Sequence, residues 1–566
     1  MKCWSLPLLA GSAFLSGAAM AEPTVVPSPL RLVDVRPGSG VVLGFDPVAL
    51  AALRAADEAL VPDFVFADGS VGPVLLARSR VLDASSRVVV ASSQGETPLD
   101  ISGMTLVCGS RVDDPTVRVV LSFSEAGING VVLGADGSQQ IISSGPGGTH
   151  EPMIFDPRTM PAGAINWLSM ACGSDLLAMP PGVTHHAPAG PGDRGVNCRA
   201  AALAIETDWE YTRDIFGGNT VAAAQYAVTL MTADSEIFFR DLGIQLGVSY
   251  LRVWAANIDP YSTTDTLDRL FEFQDYWNAN QSGIQRHAAH ILSGVRGNYG
   301  GVAYLPGLCQ FQYDYGLSTY LNGYFPYPLE DHRSQNWDLN VTAHELGHNF
   351  GAPHSHDLSP PIDGCGLGDC SMAAQGTIMS YCHTCSGGEA NIALTFHARM
   401  INEQMLPYIN NDAPCTLDAS GMSVTKAPES VRAVLGDLVS FQVVASSAPG
   451  SLAYRWYEGT TALNDAGRFA GTHSPTLSIN GVQSPDFASY SVRVTGMCGT
   501  EIRSALLVCA TDFDADGTSD FFDYDSFVNC FEGVVCPPGE TGDFDHDGTL
   551  DFFDYDAFVV AFEIGC

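Results

Sequence analysis

Residues 344–354 read His-Glu-Leu-Gly-His-Asn-Phe-Gly-Ala-Pro-His. The preceding residues 336–343 can form a helix that runs into this stretch. On such a helix His344 and His348 stand four residues apart and therefore on one face. Two imidazoles at this spacing can hold one Zn²⁺ at about 2.0–2.1 Å. The stretch therefore predicts a helix that carries a pair of metal ligands.

The residues around this pair complete the predicted site. Gly351 allows a sharp turn out of the helix because it lacks a Cβ, and the turn brings His354 round as a third ligand. Three protein ligands leave a fourth position for water, the arrangement of a catalytic zinc. Glu345 is placed to take a proton from that water and pass it to a leaving amine. Downstream, Met379 lies in Ile-Met-Ser-Tyr, which is typical of a Met-turn.

The extended histidine motif and the Met-turn resemble those of the metzincin metalloproteases, most closely the reprolysin (adamalysin) branch. The resemblance implies an α/β catalytic domain over residues 199–415, with Met379 as an apolar floor under the metal. Two residues depart from the branch pattern. Ser355 follows the third histidine where Asp is usual, and Tyr381 follows the Met-turn as in astacin-like enzymes. Tyr381 is a fifth ligand or oxyanion helper, or else a pocket-wall side chain, and the subfamily stays open.

Four segments upstream of the motif extend this resemblance. Residues 201–206 and 244–254 are expected to form strands, residues 221–240 a helix, and residues 301–305 the edge strand above the cleft. The resemblance also implies a disulfide between Cys309 and Cys415. Four further cysteines allow three connectivities: Cys365, Cys370, Cys382 and Cys385. The last two form a Cys-x-x-Cys pair, for which we expect disulfides rather than a second zinc.

Composition indicates an exported, multidomain protein. The chain has 566 residues, enough for three or more domains, and a formal net charge of -37, which argues against nucleic acid as a partner. Residues 1–21 have the pattern of a signal peptide, and no later apolar run is long enough to span a membrane, so the mature chain is expected to be soluble. An even number of cysteines remains after Cys3, which favours disulfides in an extracellular setting.

Residues 22–198 are predicted to form a mostly β domain and a linker. Residues 87–91 and 117–123 are predicted to be two of its short strands, and residues 113–137 resemble the propeptide of reprolysin-like proteases, which would block the cleft until removed. Cys108, Cys172 and Cys198 make an odd number ahead of the catalytic domain. Either Cys172 or Cys198 binds the zinc as a thiolate in the latent form, or these cysteines form a long-range disulfide.

Residues 416–508 return to a strand pattern and resemble an immunoglobulin-like β-sandwich. Trp456 corresponds to the strand-C tryptophan, and Tyr490 to the tyrosine corner. Val492 replaces the second cysteine of the usual inter-sheet pair, and residues 439–444 contain no cysteine. Buried apolar residues are expected to fill that space.

Residues 509–566 contain a repeat with an offset of 31 residues, since 543 − 512 = 31. Each copy places oxygen ligands at positions 1, 3, 5, 7, 9 and 12 and Gly at position 6, as EF-hand loops do. The predicted Ca²⁺ ligands are Asp512, Asp514, Asp516, Thr518, Asp520, Asp523, Asp543, Asp545, Asp547, Thr549, Asp551 and Asp554. Asp at position 12 and the Asp-Tyr-Asp-x-Phe-Val that follows resemble dockerin repeats, so the prediction is a small α-helical, calcium-binding module.

These patterns together predict a secreted zinc endopeptidase, made as a latent precursor, that acts on extracellular proteins or peptides. The C-terminal repeats carry no recognisable cohesin-reading residues, so they are either a calcium-stapled terminal module or a module for a cohesin-like or cell-surface partner. The alternative is a catalytically silent surface-binding or adhesion protein that works through its immunoglobulin-like and dockerin-like modules. An intact Glu345 favours the enzyme.

Overall fold

The computed structural model describes residues 23–83, 85–180, 199–328, 337–415, 417, 423–446, 452–459, 461–496, 499–514, 518–537, 540–545 and 547–565. The predicted signal peptide, Cys198 and Asp516 lie outside these residues. None of the helices within them is both long and apolar enough to cross a bilayer.

A ten-stranded, mostly antiparallel sheet dominates the N-terminal region, in the order β1-β4-β5-β8-β9-β10-β11-β12-β3-β2. Its strands are β1 (Thr24–Val25), β2 (Leu30–Arg36), β3 (Gly40–Phe45), β4 (Glu58–Val65), β5 (Val71–Arg78), β8 (Thr105–Arg111), β9 (Arg118–Ser124), β10 (Gly127–Leu133), β11 (Gln139–Ser143) and β12 (Met153–Phe155). Helix α1 (Pro47–Ala55) begins at Asp46, whose carboxylate accepts hydrogen bonds from the amides of residues 48 and 49. The mostly β composition predicted for this region is confirmed.

A second sheet of seven strands carries the predicted catalytic region, in the order β16-β17-β15-β13-β14-β6-β7. Its strands are β6 (Arg87–Ser92), β7 (Gly95–Pro98), β13 (Arg199–Thr207), β14 (Ile244–Trp254), β15 (Ala288–Leu292), β16 (Gly301–Ala303) and β17 (Tyr315–Ser318). The helices are α2 (Thr220–Leu242), α3 (Thr266–Asn280), α4 (Asp338–Asn349) and the single turn α5 (Ala398–Met400), and β18 (Gly376–Thr377) pairs with β19 (Ile392–Ala393). The predicted strands and helices are found here, although the edge strand β16 ends at residue 303 rather than 305.

The sheet topology joins the two regions that the sequence separates at residue 198. Strand β6 pairs in parallel with β14, from Arg87 opposite Tyr250 to Ala91 opposite Trp254, and β7 then pairs with β6. The hairpin β6–β7 therefore extends the catalytic sheet with two strands from the predicted propeptide-like domain. Hydrophobic residues of both regions also share one continuous core.

Helix α2 lies between the two sheets. It begins at Asn219, whose side chain accepts from two backbone amides, and ends at Gly243, whose φ of 68° is a left-handed conformation suited to glycine. Residues 222–238 are buried all the way round the helix. An amphipathic helix at a protein surface exposes one face to water. In α2 the face turned away from β14 is also buried, because the N-terminal sheet covers it.

Residues 423–509 form a β-sandwich. One sheet has the order β21-β29-β28-β24-β25 and the other β22-β27-β26, while β20 pairs with β23. The strands are β20 (Ser423–Lys426), β21 (Val431–Ala433), β22 (Leu438–Gln442), β23 (Val444–Ser446), β24 (Ala453–Glu458), β25 (Thr461–Ala462), β26 (Phe469–Ala470), β27 (Thr476–Asn480), β28 (Ser489–Gly496) and β29 (Gly499–Cys509). Side chains of both sheets pack into one core.

The residues that suggested an immunoglobulin-like fold lie in the core of this sandwich or at its edge. Trp456 and Val492 are fully buried between the sheets, with Phe441 beside them. The Tyr490 hydroxyl donates a hydrogen bond of 3.0 Å to the carbonyl oxygen of Asp486, as in a tyrosine corner. Apolar side chains fill the space of the usual disulfide, as expected.

Two short helices form the C-terminal module, α6 (Phe521–Phe531) and α7 (Phe552–Ile564). Both begin at an aspartate whose side chain accepts from a backbone amide, Asp520 and Asp551. Phe527 and Phe558 stack between the helices with ring centroids 4.0 Å apart. The 31-residue sequence repeat is therefore also a structural repeat.

Candidate metal centre and active site

The three predicted histidine ligands meet at the C-terminal end of α4. The ring centroids of His344 and His348 are 4.8 Å apart, and His354 lies 5.3 Å from the first and 4.7 Å from the second. The helix supplies the first pair, and Gly351, with a φ of 90°, turns the chain so that the third ring joins them. A Cβ at Gly351 would come within 2.9 Å of the Tyr408 Cβ, so both backbone and packing require glycine.

The hydrogen bonds of these rings leave a nitrogen of each ring facing the same point. Nδ1 of His344 donates to the carbonyl oxygen of Ile378, and Nδ1 of His348 donates to that of Ala352, both at 2.7 Å. The Nε2 atoms of His344 and His354 are buried and have no hydrogen-bond partner among the described residues. Buried unpaired nitrogens are costly, and a metal ion bound through Nε2 is the group that would satisfy them. The site therefore fits zinc.

The protonation of the rings agrees with a metal-binding role. Burial and the neighbouring imidazoles lower the pKa of His344 and His348 well below the ordinary value, which keeps both rings neutral. Burial acts in the same direction on His354, but the hydrogen bond to Asp175 and the nearby Asp357 carboxylate outweigh it and raise the pKa of that ring to about 12. A metal ion at Nε2 has to displace the proton of this ring, and the two carboxylates that favour the proton would favour a bound cation in the same way.

Glu345 lies against the edge strand. It is 1% exposed, and a Cβ at Gly301 would lie 2.4 Å from its Oε1, so the strand approaches the carboxylate as closely as a backbone can. Burial raises the pKa of Glu345 to about 8, against the lowering effect of hydrogen bonds from Cys172 and Ser174. A carboxyl group with a raised pKa next to a metal site has the properties of a proton carrier.

Cys172 is a fourth member of the histidine cluster. Its Sγ lies 3.4 Å from Nε2 of His348 and 3.5 Å from Oε2 of Glu345. A ligand atom from each of Cys172 and the three histidines falls within 4.8 Å of the others. Cys172 forms no disulfide, so the long-range disulfide alternative is wrong for this residue. Cys108 is also a free thiol, on β8.

Residues 170–175 lie along the cleft, and we call them the latency segment after the role proposed for them below. Cys172 pairs in parallel with Gly301 of β16, and the amide of Gly173 donates to the carbonyl oxygen of Gly301 at 2.8 Å. On the opposite side, the Tyr381 hydroxyl donates to the Cys172 carbonyl at 3.1 Å and Nε2 of His383 donates to the Met170 carbonyl at 2.8 Å. The segment is thus bound through its backbone on both sides.

Two predicted residues of the Met-turn have distinct surroundings. Met379 is buried, and its Sδ would lie 2.7 Å from a Cβ at Gly347, so it packs directly against the histidine helix. The Tyr381 ring centroid is 4.6 Å from that of His354, while its hydroxyl binds the latency segment. In this state Tyr381 is a cleft-wall residue that holds the segment.

Disulfides fix the loops around the site. Cys309 is bonded to Cys415, as the family resemblance implied. Of the three open connectivities for the other four cysteines, the structure has Cys365–Cys382 and Cys370–Cys385. The Cys-x-x-Cys pair is accordingly part of two disulfides rather than a metal site.

Asp175 is a site residue that sequence reasoning missed. One carboxylate oxygen accepts from Nδ1 of His354 at 2.9 Å, whereas the carboxylate of Asp357 is 3.6 Å from the same nitrogen. A carboxylate in this position orients a histidine ligand and increases its basicity. Asp175 follows Cys172, a candidate zinc ligand, by three residues. This short distance in sequence is the signal that could have identified it.

Three of the predicted calcium ligands form a local cluster. Oxygens of Asp512, Asp514 and Asp523 lie within 4.8 Å of one another. Asp523 accepts from the amides of Asp514 and Asp520, and Asp554 accepts from those of Asp545 and Asp551, so position 12 closes both loops in the same way.

Residues 197–392 match the protein-family model Reprolysin_5, described as metallo-peptidase family M12. Two curated relatives are the zinc metalloproteinase-disintegrin-like brevilysins H2a and H2b of Gloydius brevicauda, each 31% identical over 140 residues, or 24% of this chain. The chain spans 30% of the length of these relatives.

Similarities among solved structures are short. The titin domain M4 is 22% identical with a TM-score of 0.15, covering 16% of this chain and 94% of that chain. The titin domain I81 is 22% identical with a TM-score of 0.14, covering 16% of this chain and 97% of that chain.

The family match at residues 197–392 agrees with the histidine cluster described above. Together they support a reprolysin-like M12 metallopeptidase domain that uses zinc.

Proposed function

We propose that the chain is a zinc-dependent endopeptidase held latent by its own N-terminal region. The observation that carries the proposal is the convergence of three histidine Nε2 atoms, the Glu345 carboxylate and the edge strand at one point. His344, His348 and His354 would hold the ion, and the bound zinc would supply a Lewis acid and an acidified water. The substrates are extracellular proteins or peptides.

Each residue of this chain has a defined task in the proposed reaction. Strand β16 binds an extended peptide through its free backbone groups once the latency segment has left. Glu345 accepts the proton of the attacking water at its carboxylate and delivers it to the departing amine. The Tyr381 hydroxyl, released from the Cys172 carbonyl, becomes free to donate a hydrogen bond to the substrate.

Glu345→Gln tests this function directly. After the chain has been cut between residues 181 and 198, we expect the variant to lose about 10²–10⁴-fold in kcat/KM, the usual contribution of a general acid–base group. Its zinc content should equal that of the parent, because Glu345 is not a ligand. Peptide cleavage followed by mass spectrometry, together with metal analysis, measures both.

The matched control is Glu403→Gln, which removes a half-exposed carboxylate paired with Arg399 on the surface. This control should retain full activity, and a chelator should abolish the activity of both the control and the parent. Zinc-loaded protein that cleaves no peptide after the cut, even after the two pieces have been separated, would instead favour the catalytically silent, surface-binding alternative.

We also propose secretion and calcium binding. The charged and apolar pattern of residues 1–21 and the disulfides of the catalytic region support export. The two aspartate-rich loops support one Ca²⁺ each, because oxygen ligands at this spacing suit a hard cation. A dockerin-like module of this kind would bind a cohesin-like or cell-surface partner.

Calcium should stabilise the C-terminal module. We expect millimolar Ca²⁺ to raise its melting temperature by several degrees, since a ligand at 100 times its Kd contributes about 2.7 kcal/mol. The double variant Asp523→Asn/Asp554→Asn should lose this response, and its melting in a chelator is the baseline for the comparison because each Asn can accept only one of the two amide hydrogen bonds that the Asp accepts. Differential scanning calorimetry of the full chain measures it, and an unchanged response in the double variant would contradict calcium binding at these loops.

A further inference from the structure

A small cavity continues from the metal site along α4. Asn340 and His344 lie four residues apart on one face of this helix and both line the cavity, so it runs from the metal site towards the helix N-terminus. The loop after the Met-turn forms the opposite wall with Tyr381, His383 and Glu389. Residues of the latency segment cover the opening beside Glu345. A substrate that replaced this segment would place a side chain here.

The cavity contains a buried carboxylate that accepts a hydrogen bond from Asn340. Glu389 is 1% exposed, and its Oε2 accepts a hydrogen bond of 2.8 Å from Nδ2 of Asn340. Burial raises the pKa of Glu389, while His383 and the Asn340 hydrogen bond lower it. A carboxylate so placed is expensive to keep charged without a cation beside it.

Two further buried polar atoms line the cavity. A carboxylate only accepts, so the Asn340 amide nitrogen faces Glu389, and the amide oxygen Oδ1 is buried without a partner among the described residues. Nε2 of His383 donates to the Met170 carbonyl, and its Nδ1 is likewise buried and unpaired within the described chain. The Glu389 carboxylate and the Asn340 amide oxygen are both acceptors, and the group that satisfies them is a cation with several N–H bonds.

We propose that Glu389, Asn340 and His383 form a specificity pocket for a lysine or arginine side chain adjoining the cleaved bond. The inference rests on the proposed peptidase function and adds the substrate class. An ammonium or guanidinium group supplies three or five donors and no acceptor, which matches the surplus of acceptors. Leucine or methionine at the same position would leave these acceptors unpaired, and a site built from polar groups discriminates strongly against such a residue.

Paired peptides test the proposal. The peptides of one series are identical except for Lys, Arg, Leu or Met at one of the two positions that flank the cleaved bond, and a second series varies the other position. The enzyme is the zinc-loaded full chain after the cut between residues 181 and 198. We expect kcat/KM for Lys or Arg to exceed that for Leu at least tenfold at one flanking position. In Glu389→Gln, which keeps the Asn340 hydrogen bond but removes the charge, this ratio should fall at least tenfold. Glu389→Asp should keep part of it, and Glu403→Gln all of it.

Peptide binding by a variant that cannot cleave the peptide separates this inference from the peptidase function. The cut Glu345→Gln chain should bind the Lys peptide at least tenfold more tightly than the Leu peptide, and the double variant Glu345→Gln/Glu389→Gln should not. A Lys-to-Leu ratio that is equal in the parent and in Glu389→Gln, with normal melting of both, overturns the pocket while leaving the peptidase intact. If no peptide is cleaved but the binding preference is present, the peptidase function fails and the pocket stands.

Discussion

A full-length chain carrying Cys172→Ser is expected to hydrolyse peptides without any cut in the chain. In the intact protein the Cys172 thiol lies among the three histidine Nε2 atoms, where a thiolate would take the fourth position on zinc. A serine hydroxyl is a far weaker ligand, so water can enter. We expect activity at least tenfold above that of the uncut parent, which corresponds to about 1.4 kcal/mol of lost inhibition.

The rise should remain below the activity of the cut enzyme. Backbone hydrogen bonds hold the latency segment to Gly301, Tyr381 and His383 whether or not the thiol is present. Peptide hydrolysis by the Cys172→Ser chain is measured first with the chain uncut and then after the cut. Cys108→Ser is the matched control, since it removes the other free thiol of the described residues and should leave latency unchanged. A Cys172→Ser chain as silent as the parent, but active once cut, would assign latency to the backbone contacts alone.

The metal site could be predicted from the sequence because its information is local. His344, Glu345 and His348 share one helix, and Gly351 brings His354 within one further turn. A fixed spacing on a regular helix determines which side chains meet. The Cys309–Cys415 disulfide also followed from the resemblance, which carries long-range information that spacing alone does not.

The choice between Cys172 and Cys198 could not be made from sequence, because it depends on where a nonlocal segment lies. Both precede the catalytic region with no local pattern to separate them. Cys172 reaches the histidines only because residues 170–175 pair with β16, and backbone pairing of this kind uses groups that every residue has. Glu389 was missed for a similar reason, since it meets Asn340 across 49 residues of chain.

The pairing of β6 with β14 is the largest difference between expectation and structure. Residues 87–91 were predicted to be a strand of the N-terminal β domain, whereas in the structure they pair with β14 of the catalytic sheet. A strand with apolar side chains on both faces can fill a central position in either sheet. Sequence identifies such a strand but leaves its neighbour open, so a domain boundary drawn from composition at residue 198 cannot reveal a strand exchanged across it.

We therefore expect the N-terminal region to stay bound after the chain is cut between residues 181 and 198. Strand β6 would still pair with β14, and Gln139 would still accept the hydrogen bond of 2.7 Å from Nε1 of the fully buried Trp337, directly before the histidine helix. Residues 222–238 of α2 would remain covered. Removing the domain would expose this core and leave a buried indole N–H unpaired, at about 1–3 kcal/mol for that group alone.

Gel filtration of the cut chain at micromolar concentration measures this retention. A recognition sequence for a site-specific protease, placed between residues 184 and 194, allows one defined cut. We expect both pieces to elute together at the mass of the intact chain and to separate only in denaturant. The same cut in Val90→Pro should weaken the association, because proline removes a backbone donor from a strand with neighbours on both sides.

Separation of the pieces without denaturant would identify the N-terminal region as a removable propeptide. The face of α2 that this region covers, and that would then be exposed to water, carries polar side chains. Gln225, Thr229, Thr232 and Glu236 lie along one stripe of the helix and contact the N-terminal region. This stripe is what would let a catalytic fragment survive alone. The hairpin β6–β7 and the shared core argue for the opposite outcome. Loss of the hairpin would leave the edge of β14 without its partner strand, and loss of the region would expose the apolar side chains of the shared core. Retention means that activation releases the latency segment from the cleft, while the rest of the N-terminal region remains part of the active enzyme.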